Sequence, residues 1–379
     1  MAGQEKEIML VVGEASGDVH GAQLVKALRR RDPALHIFGV AGEKLRQTEF
    51  EALFSVSRLT GMGLFELAGN LKNICRAYAL LRKALRERRP DLLVLIDFPE
   101  FNLRLAKLAK SLGTPVLYYI SPQVWAWRRG RVRQIARSVD HMAVVFPFEV
   151  PFYQRHGVPV TFVGHPLLDS MEIKQSREAV LDKLGLDPEK TTVTLLPGSR
   201  PREIAYHLPA MVAAALRLSR ERDVQFICVK ASTVASRDID AALKDAGISV
   251  AVVEQDRYDA VNAADLVWTA SGTATLETAL LLKPMVIVYR LSWLTYGLAR
   301  LLVRVSHIGM VNLIAGERVV PELIQSDLKP ERIVEESRTL LDNQQIRARI
   351  TEKLAALKAR LGSPGAADRV ATTALAMIA

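Results

Sequence analysis

The sequence has little cysteine and no stretch apolar enough to cross a membrane. Its 379 residues include only two cysteines, which excludes a disulfide framework and leaves no cysteine pair spaced for a metal site. The longest stretch without Asp, Glu, Lys or Arg covers 111–127 and contains Gly113 and Pro122, so it does not match the roughly 20 apolar residues of a spanning helix. Glu5 and Glu7 lie where a signal peptide carries positive charge. We therefore expect a cytoplasmic chain without a transmembrane helix.

Several short catalytic motifs are also absent. The sequence has no GxGxxG dinucleotide fingerprint, no Gly-Lys-Ser/Thr of a P-loop, no HExxH metal motif and no GxSxG nucleophile motif. Hydride transfer, P-loop ATP hydrolysis and serine-hydrolase chemistry therefore have no support. We expect neither a metal nor a cofactor.

Positive charge is in excess. The chain has 51 basic and 41 acidic residues, a formal net charge of +10. Such an excess suits a nucleic acid, an anionic membrane surface or a phosphorylated substrate. Its distribution along the chain must decide among these partners.

Short apolar runs alternate with helix-length segments, as in a doubly wound parallel sheet. The runs predict strands at 8–12, 36–40, 92–96, 116–120 and 142–146, and then at 192–196, 224–229, 248–253, 266–268 and 285–288. We therefore predict an α/β protein with two Rossmann-like domains that face each other across a cleft, and we expect ligands at the carboxyl ends of the strands. The predicted domains are 1–168 and 169–343. Helices in 344–379 are expected to pack back on the first domain or on another subunit.

Two motifs of the first half follow predicted strands. GEASGDVHG, at 13–21, provides glycines for a tight turn into a helix, which would either contact substrate or only serve the fold. IDFPEFN, at 96–102, places Asp97 at the end of a buried strand. A carboxylate there suits a general base, although it could instead cap the next helix.

Two turns of the second half are typical of phosphate sites. LPGSR, at 196–200, exposes backbone N–H groups beside Arg200, and SGTATLET, at 271–278, leads small residues into a helix. A helix N-terminus binds anions through its N–H groups and dipole. Glu277, one turn into that helix, could accept hydrogen bonds from ribose. Because two such turns occur in one domain, a nucleoside diphosphate is favoured over ordinary helix capping.

Three segments combine basic and large apolar residues. They are 61–89, the segment SPQVWAWRRGRVRQIAR at 121–137, and 290–316. Each alone would suit a core-facing helix with a basic solvated side, but the three together favour attachment to a membrane surface.

Seven blocks resemble the lipid-A-disaccharide synthase family. In chain order they are GEASGD, IDFPEFN, SPQVWAWRRGRV, VGHPLLD, LPGSR, SGTATLET and NLIAGERVVPELIQ. The resemblance implies a metal-independent, inverting GT-B glycosyltransferase of lipid A (lipopolysaccharide) biosynthesis in a Gram-negative bacterium. The implied reaction joins UDP-2,3-diacylglucosamine to 2,3-diacylglucosamine 1-phosphate through a β-1,6 linkage and releases UDP. The resemblance also implies peripheral attachment to the cytoplasmic face of the inner membrane, and it allows a homodimer with exchanged C-terminal segments.

Together with the motifs, the resemblance suggests a role for each candidate residue. The catalytic residues are Asp97, Arg200 and Glu14. The UDP-sugar-binding residues are Gly198, Ser199, Arg200, Ser271, Gly272, Thr273, Glu277, Asn312, Glu317 and Gln325. The acceptor-binding residues are Ser16, Asp18, Asn102, Trp127 and Arg128. The membrane-binding residues are Met62, Leu64, Phe65, Leu67 and Leu71.

Three alternatives remain open at this point. Asp97 could orient the substrate while Glu14 or Asp18 acts as the base. A UDP-N-acetylglucosamine 2-epimerase would share the two-domain fold but would not need an apolar basic surface. A nucleic-acid-binding protein would share the charge, but it would bind oligonucleotides with a steep salt dependence.

Overall fold

The computed structural model describes residues 6–59, 67–125, 129–244, 246–293, 295–297 and 307–379, with the backbone alone at 67–70 and 129. The chain divides into two compact units. Unit 1 consists of Met1–Asp169 and Leu361–Ala379, and unit 2 of Ser170–Arg360.

Unit 1 is built on a seven-stranded parallel sheet with the order β3-β2-β1-β4-β5-β6-β7. Its strands are Glu7–Val12 (β1), His36–Ala41 (β2), Glu51–Ser55 (β3), Leu92–Ile96 (β4), Val116–Tyr119 (β5), His141–Val144 (β6) and Val160–Phe162 (β7). The five predicted strands of this half are present. The structure adds β3 and β7 at the two edges of the sheet, where half-exposed residues give no continuous apolar run.

The register of the central strands determines which turns are neighbours. Val12, the last residue of β1, pairs with Ile96, the last residue of β4. Both strands therefore end at the same level, and the residues that follow them emerge side by side at the carboxyl edge of the sheet.

Helices connect the strands of unit 1. They are Ala15–Arg31 (α1), Glu43–Arg46 (α2), Leu67–Arg88 (α3), Pro99–Ser111 (α4), Val132–Ser138 (α5), Glu149–Gln154 (α6) and Leu167–Ser170 (α7). Helix α1 buries an apolar stripe that includes Leu24, Val25 and Leu28, the spacing expected for a helix that covers a sheet.

Unit 2 is built on a six-stranded parallel sheet with the order β10-β9-β8-β11-β12-β13. Its strands are Thr191–Leu196 (β8), Val224–Val229 (β9), Val250–Val253 (β10), Leu266–Ala270 (β11), Met285–Tyr289 (β12) and Glu322–Ile324 (β13). Strand β13 is a three-residue edge strand that the sequence did not predict. Leu196 pairs with Thr269, so the turns after β8 and β11 emerge at the same edge.

The helices of unit 2 are Arg177–Lys183 (α8), Pro201–Glu221 (α9), Ser236–Leu243 (α10), Arg257–Asn262 (α11), Thr273–Leu280 (α12), Met310–Ala315 (α13), Pro330–Asp342 (α14) and Gln344–Arg360 (α15). The final helix, Ala366–Ala376 (α16), belongs to unit 1. None of the helices, as far as the structure describes them, combines the length and apolarity needed to cross a membrane.

The C-terminal segment is shared between the two units. Helix α15 packs on α12, α13 and α14 of unit 2 and buries Ile350, Leu354 and Leu357. Helix α16 instead packs on α1 of the same chain. Within 344–379, α15 therefore has its own apolar face against unit 2, and α16 packs on unit 1.

Polar contacts join α16 to the residues at which the chain first leaves unit 1. The carboxylate of Asp169 accepts hydrogen bonds from the N–H groups of Gly365 and Ala366 at the start of α16. Arg369, one turn into α16, donates to the carbonyl oxygen of Val163 at 2.8 Å. We call these contacts the terminal clasp.

Candidate functional site

The turn after β4 holds Asp97 in a strained conformation. Asp97 and Phe98 have φ of 51° and 50°, a left-handed region that costs a non-glycine residue about 1–3 kcal/mol. Side chains hold the turn in place: the carbonyl oxygen of Asp97 accepts hydrogen bonds from Asn102 Nδ2 at 2.7 Å and from Tyr118 Oη at 2.6 Å. Pro99 then begins α4. The turn therefore presents a carboxylate at the sheet edge and does not continue the strand.

The side chain of Asp97 has the acidity of a general base. Burial raises its pKa to about 6, and the nearby charge of Glu14 raises it further, whereas the N–H of Phe98 lowers it. A carboxyl group with this pKa is mostly ionised at neutral pH and still accepts a proton more readily than an ordinary aspartate.

The turn after β1 comes close to the turn after β4. A Cβ atom on Gly13 would lie 2.1 Å from Cγ of Phe98, so glycine is required where the two turns meet. Glu14 follows as the exposed N-cap residue of α1, and Ser16 is exposed in its first turn. The structure therefore brings Glu14 close enough to Asp97 for its charge to act on the Asp97 carboxyl group.

Two residues predicted to bind the acceptor form hydrogen bonds within unit 1. Asp18 is buried, and its carboxylate accepts hydrogen bonds from the N–H groups of Gly42, Lys44 and Leu45 at 2.7–3.2 Å. These bonds satisfy N–H groups at the start of α2. Asn102 is fully buried and supports the turn of Asp97. The acceptor role of both residues stays a prediction, and in this structure their polar atoms are directed into unit 1.

Other predicted positions lie partly or wholly outside the described residues. Trp127 and Arg128, predicted to contact the acceptor, lie outside them, as do the predicted membrane residues Met62, Leu64 and Phe65. Only the backbone of Leu67 is described.

The next predicted membrane residue is described. Leu71 lies on α3, and 60% of it is exposed.

The turn after β8 places a cation at the start of a long helix. Gly198 has φ of 131°, and Ser199 N–H donates to Glu203 Oε2 at 2.8 Å. Arg200 is the N-cap residue of α9; its side chain is 76% exposed and lies 3.6 Å from Glu203. The guanidinium is therefore available to an anionic ligand.

A buried histidine supports the same turn. Nδ1 of His207 donates to the carbonyl oxygen of Pro197 at 2.9 Å, and Nε2 accepts the N–H of Arg290 at 3.0 Å. The sequence did not single out His207, because one histidine in a helix carries no motif.

The turn after β11 opens α12 with small residues. Gly272 has φ of 150° and is exposed together with Thr273. Ser271 Oγ donates to the carbonyl oxygen of Ile308 at 3.0 Å. The first N–H groups of α12 are the kind of donors that hold a phosphate.

Glu277 lies on α12 behind this turn. It is buried, and its Oε1 accepts hydrogen bonds from Arg257 at 2.7 Å and Tyr258 at 3.3 Å. Neither partner was found from the sequence, because both lie about 20 residues earlier and carry no motif.

Two of the remaining nucleotide-sugar candidates form hydrogen bonds within unit 2. Oδ1 of buried Asn312 accepts the N–H groups of Val319 and Val320 at 2.8 and 3.0 Å, and Nδ2 donates to Glu322. The side-chain amide of buried Gln325 accepts a hydrogen bond from the N–H of Leu291 and donates one to its carbonyl oxygen. The binding role of Asn312 and Gln325 stays a prediction, and in this structure their amides are engaged with backbone groups and with Glu322.

Glu317 is exposed and forms an ion pair with Lys353 at 2.5 Å. It thus links the segment after α13 to α15.

Comparison with known proteins identifies the family. A family model described as lipid-A-disaccharide synthetase matches residues 8–373. The lipid-A-disaccharide synthase of Geobacter sulfurreducens is 48% identical over 373 residues, covering 98% of this chain and 97% of the relative. The protein of the same name from Nitrosococcus oceani is 46% identical over 98% of this chain and 96% of its own length. The chain belongs to the lipid-A-disaccharide synthase family.

Solved structures agree with the predicted fold class. A UDP-GlcNAc 2-epimerase from Neisseria meningitidis, solved with UDP-GlcNAc, has a TM-score of 0.66 at 13% identity, covering 98% of this chain and 100% of its own. The calicheamicin glycosyltransferase CalG4 has a TM-score of 0.63 at 15% identity, covering 99% and 98%. These similarities confirm an α/β protein with two Rossmann-like units of the GT-B class.

Membership of this family indicates the class of reaction that the protein catalyses. A lipid-A-disaccharide synthase is a glycosyltransferase of lipid A biosynthesis, with a UDP-sugar donor and a sugar acceptor. This confirms the function predicted from the seven sequence blocks. The epimerase and nucleic-acid alternatives are not supported at the level of the family.

Proposed function

We propose that this lipid-A-disaccharide synthase transfers 2,3-diacylglucosamine from UDP-2,3-diacylglucosamine to the 6-hydroxyl of 2,3-diacylglucosamine 1-phosphate, with inversion and without a metal. The observation that carries the proposal is Asp97. A half-buried carboxyl group with a pKa of about 6, fixed at the carboxyl edge of a sheet, suits the removal of a proton from an attacking hydroxyl.

Unit 2 is assigned the donor. Departure of UDP leaves negative charge on the diphosphate, and hydrogen-bond donors placed in advance stabilise such charge. The N–H groups at the start of α12, with Ser271, Gly272 and Thr273, and the exposed guanidinium of Arg200 provide donors without a metal. Glu277 is assigned to the ribose hydroxyls.

Unit 1 is assigned the acceptor. Asp97 accepts the proton of the hydroxyl, and the charge of Glu14 makes Asp97 more basic. Ser16 is exposed in the first turn of α1 and is assigned to hydrogen-bond the acceptor.

We further propose that the protein attaches to an anionic membrane surface, on the cytoplasmic face of the inner membrane. Leu71 and Leu80 of α3 are 60% and 37% exposed, and Trp293 of unit 2 is 72% exposed. Exposed apolar side chains beside basic residues favour binding at a lipid interface. Substrates that carry acyl chains would then be reached without extraction into water.

Turnover of the purified protein tests the reaction. The two proposed substrates are presented in detergent micelles with EDTA, and UDP and disaccharide are followed by mass spectrometry. Equal amounts of both products support the proposal. UDP without disaccharide would refute the assigned acceptor, and loss of turnover on adding EDTA would refute metal independence.

Sedimentation with vesicles tests the membrane proposal. Leu71→Gln should weaken binding to vesicles that contain anionic lipid. The matched control is Val252→Gln on β10, where a valine is 42% exposed. Equal binding by the wild type and the Leu71 variant would remove α3 from the proposed surface.

A further inference from the structure

The carboxylate of Glu277 is held by two residues of another helix. Arg257 donates from one Nη atom both to Glu277 Oε1 and to Tyr258 Oη, each at 2.7 Å. The guanidinium lies over the Tyr258 ring, 4.6 Å from its centroid, a position that favours a cation. Arg257 and Tyr258 therefore form one support beneath a single oxygen of Glu277.

The backbone beneath this support is itself fixed. Helix α11 begins at Arg257, directly after Asp256 with φ of 53°. Thr194 Oγ1 of β8 donates to the carbonyl oxygen of Ala260 at 3.2 Å, and buried Asp259 accepts the N–H of Lys174 at 2.7 Å. These bonds fix the backbone from which Arg257 extends.

The second oxygen of Glu277 is left for another group. Among the residues that the structure describes, none donates a hydrogen bond to Oε2, and 12% of the Glu277 side chain is exposed. A carboxylate with one oxygen fixed and the other accessible is oriented to accept hydroxyl groups from a ligand.

Arg257 also opposes the effect of burial on Glu277. Burial raises the pKa of Glu277, whereas the charge of Arg257 and the hydrogen bond from Tyr258 lower it. An ionised carboxylate forms stronger hydrogen bonds with hydroxyl donors than a protonated one. The charge of Arg257 therefore favours the form of Glu277 that binds hydroxyls best.

We infer that Arg257 is a positioning residue for Glu277, which it orients through Oε1 so that Oε2 accepts the ribose hydroxyls of a uridine nucleotide. This inference rests on the proposed donor site in unit 2. It adds that the preference of unit 2 for ribose over deoxyribose depends on Arg257, a residue that need not touch the nucleotide.

Calorimetric titration of the full chain with UDP and with 2′-deoxy-UDP tests the inference. The wild type should prefer UDP by about ten-fold, the worth of one hydrogen bond to a charged group. Arg257→Met keeps an unbranched, flexible side chain but removes the charge and the hydrogen-bond donors. It should weaken UDP binding by about ten-fold and reduce the preference to about two-fold or less. Arg257→Lys should restore part of the preference, because the charge returns without the planar group.

Two comparisons separate positioning from a general structural effect. Arg237→Met on α10 is the matched control, since that side chain is 88% exposed and pairs only with neighbouring Asp238 among the described residues. It should leave both affinities unchanged. Glu277→Gln should lose the same preference, and Arg257→Met should cause little further loss in the Glu277→Gln background, because both changes remove one function.

Each outcome bears on the inference. An equal loss for UDP and 2′-deoxy-UDP in Arg257→Met would overturn it, because Arg257 would then act on another part of the nucleotide or on the fold. An unchanged UDP affinity would overturn it as well. If the wild type bound neither nucleotide, the proposed donor site itself would be refuted, and the inference would be refuted with it.

Discussion

Sugar transfer should follow the ionisation of Asp97, and its pH dependence should shift when Glu14 loses its charge. The pKa of Asp97 is raised from 3.8 to about 6, first by burial and then by Glu14. A base of this pKa is mostly ionised at pH 7.5 and about one-tenth ionised at pH 5. Turnover at pH 5 should therefore be about one-tenth of its plateau. Glu14→Gln should move the acid limb to lower pH by about half a unit to one unit, because burial remains.

The raised pKa of Asp97 also predicts that the protein becomes more stable when the charge of Asp97 is removed. Because the folded-state pKa exceeds the unfolded value, ionisation of Asp97 lowers the free energy of unfolding as pH rises from about 4 to about 6. A pKa shift of about two units corresponds to a difference of at most about 3 kcal/mol in the free energy of unfolding. Asp97→Asn should therefore be more stable than the wild type by about 1–3 kcal/mol at pH 7.5, and equally stable near pH 4.

Three measurements decide this prediction. Initial rates from pH 5 to 9 give the acid limb, denaturant titration at pH 4 and pH 7.5 gives the stability difference, and calorimetry gives UDP affinity. Asp97→Asn should lose about 100-fold or more in turnover while UDP affinity stays unchanged. Near-normal turnover in this variant would refute Asp97 as the base, and an unmoved acid limb in Glu14→Gln would refute the charge coupling.

Three other substitutions test the assignments. Arg200→Ala should reduce UDP affinity and turnover together by about ten-fold; unchanged affinity in a calorimetric titration would remove Arg200 from the diphosphate site. Asp18→Ala should lower the free energy of unfolding by about 1–3 kcal/mol, because three N–H groups lose their acceptor. A raised acceptor KM with unchanged denaturant stability would support the predicted acceptor role of Asp18. Asn102→Ala should reduce kcat without changing UDP affinity, because the turn of Asp97 loses a support, and unchanged kcat would contradict this.

The central strands could be predicted from the sequence because they are buried on both faces. Strands β1 and β4 are apolar over almost their whole length, and the predicted ranges 8–12 and 92–96 lie within them or match them. The edge strands β3, β7 and β13 could not be predicted from the sequence, because half-exposed edge residues interrupt the apolar run. Burial pattern alone therefore identifies the middle of each sheet better than its edges.

The parts of the candidate site that consist of backbone turns could be predicted from the sequence. The parts that depend on contacts between side chains were harder to predict. Glycines and small residues mark the turns after β8 and β11, since the positive φ of Gly198 and Gly272 favours glycine. A polar residue within a motif can serve either a ligand or the fold. Asp18 bonds backbone groups 24–27 residues away, and Arg257 reaches Glu277 20 residues away. Such tertiary partners have no local signal in the sequence.

The terminal clasp sets an order for folding during synthesis. Unit 1 begins with the first residues of the chain but includes Leu361–Ala379, so unit 2 is inserted within it. Domains usually form from the N-terminus as they leave the ribosome, yet here the part of α1 that α16 covers stays uncovered until α16 has been synthesised. Unit 2, whose residues are contiguous, can be complete earlier. A nascent chain of this protein would therefore expose this part of α1 while unit 2 is being synthesised.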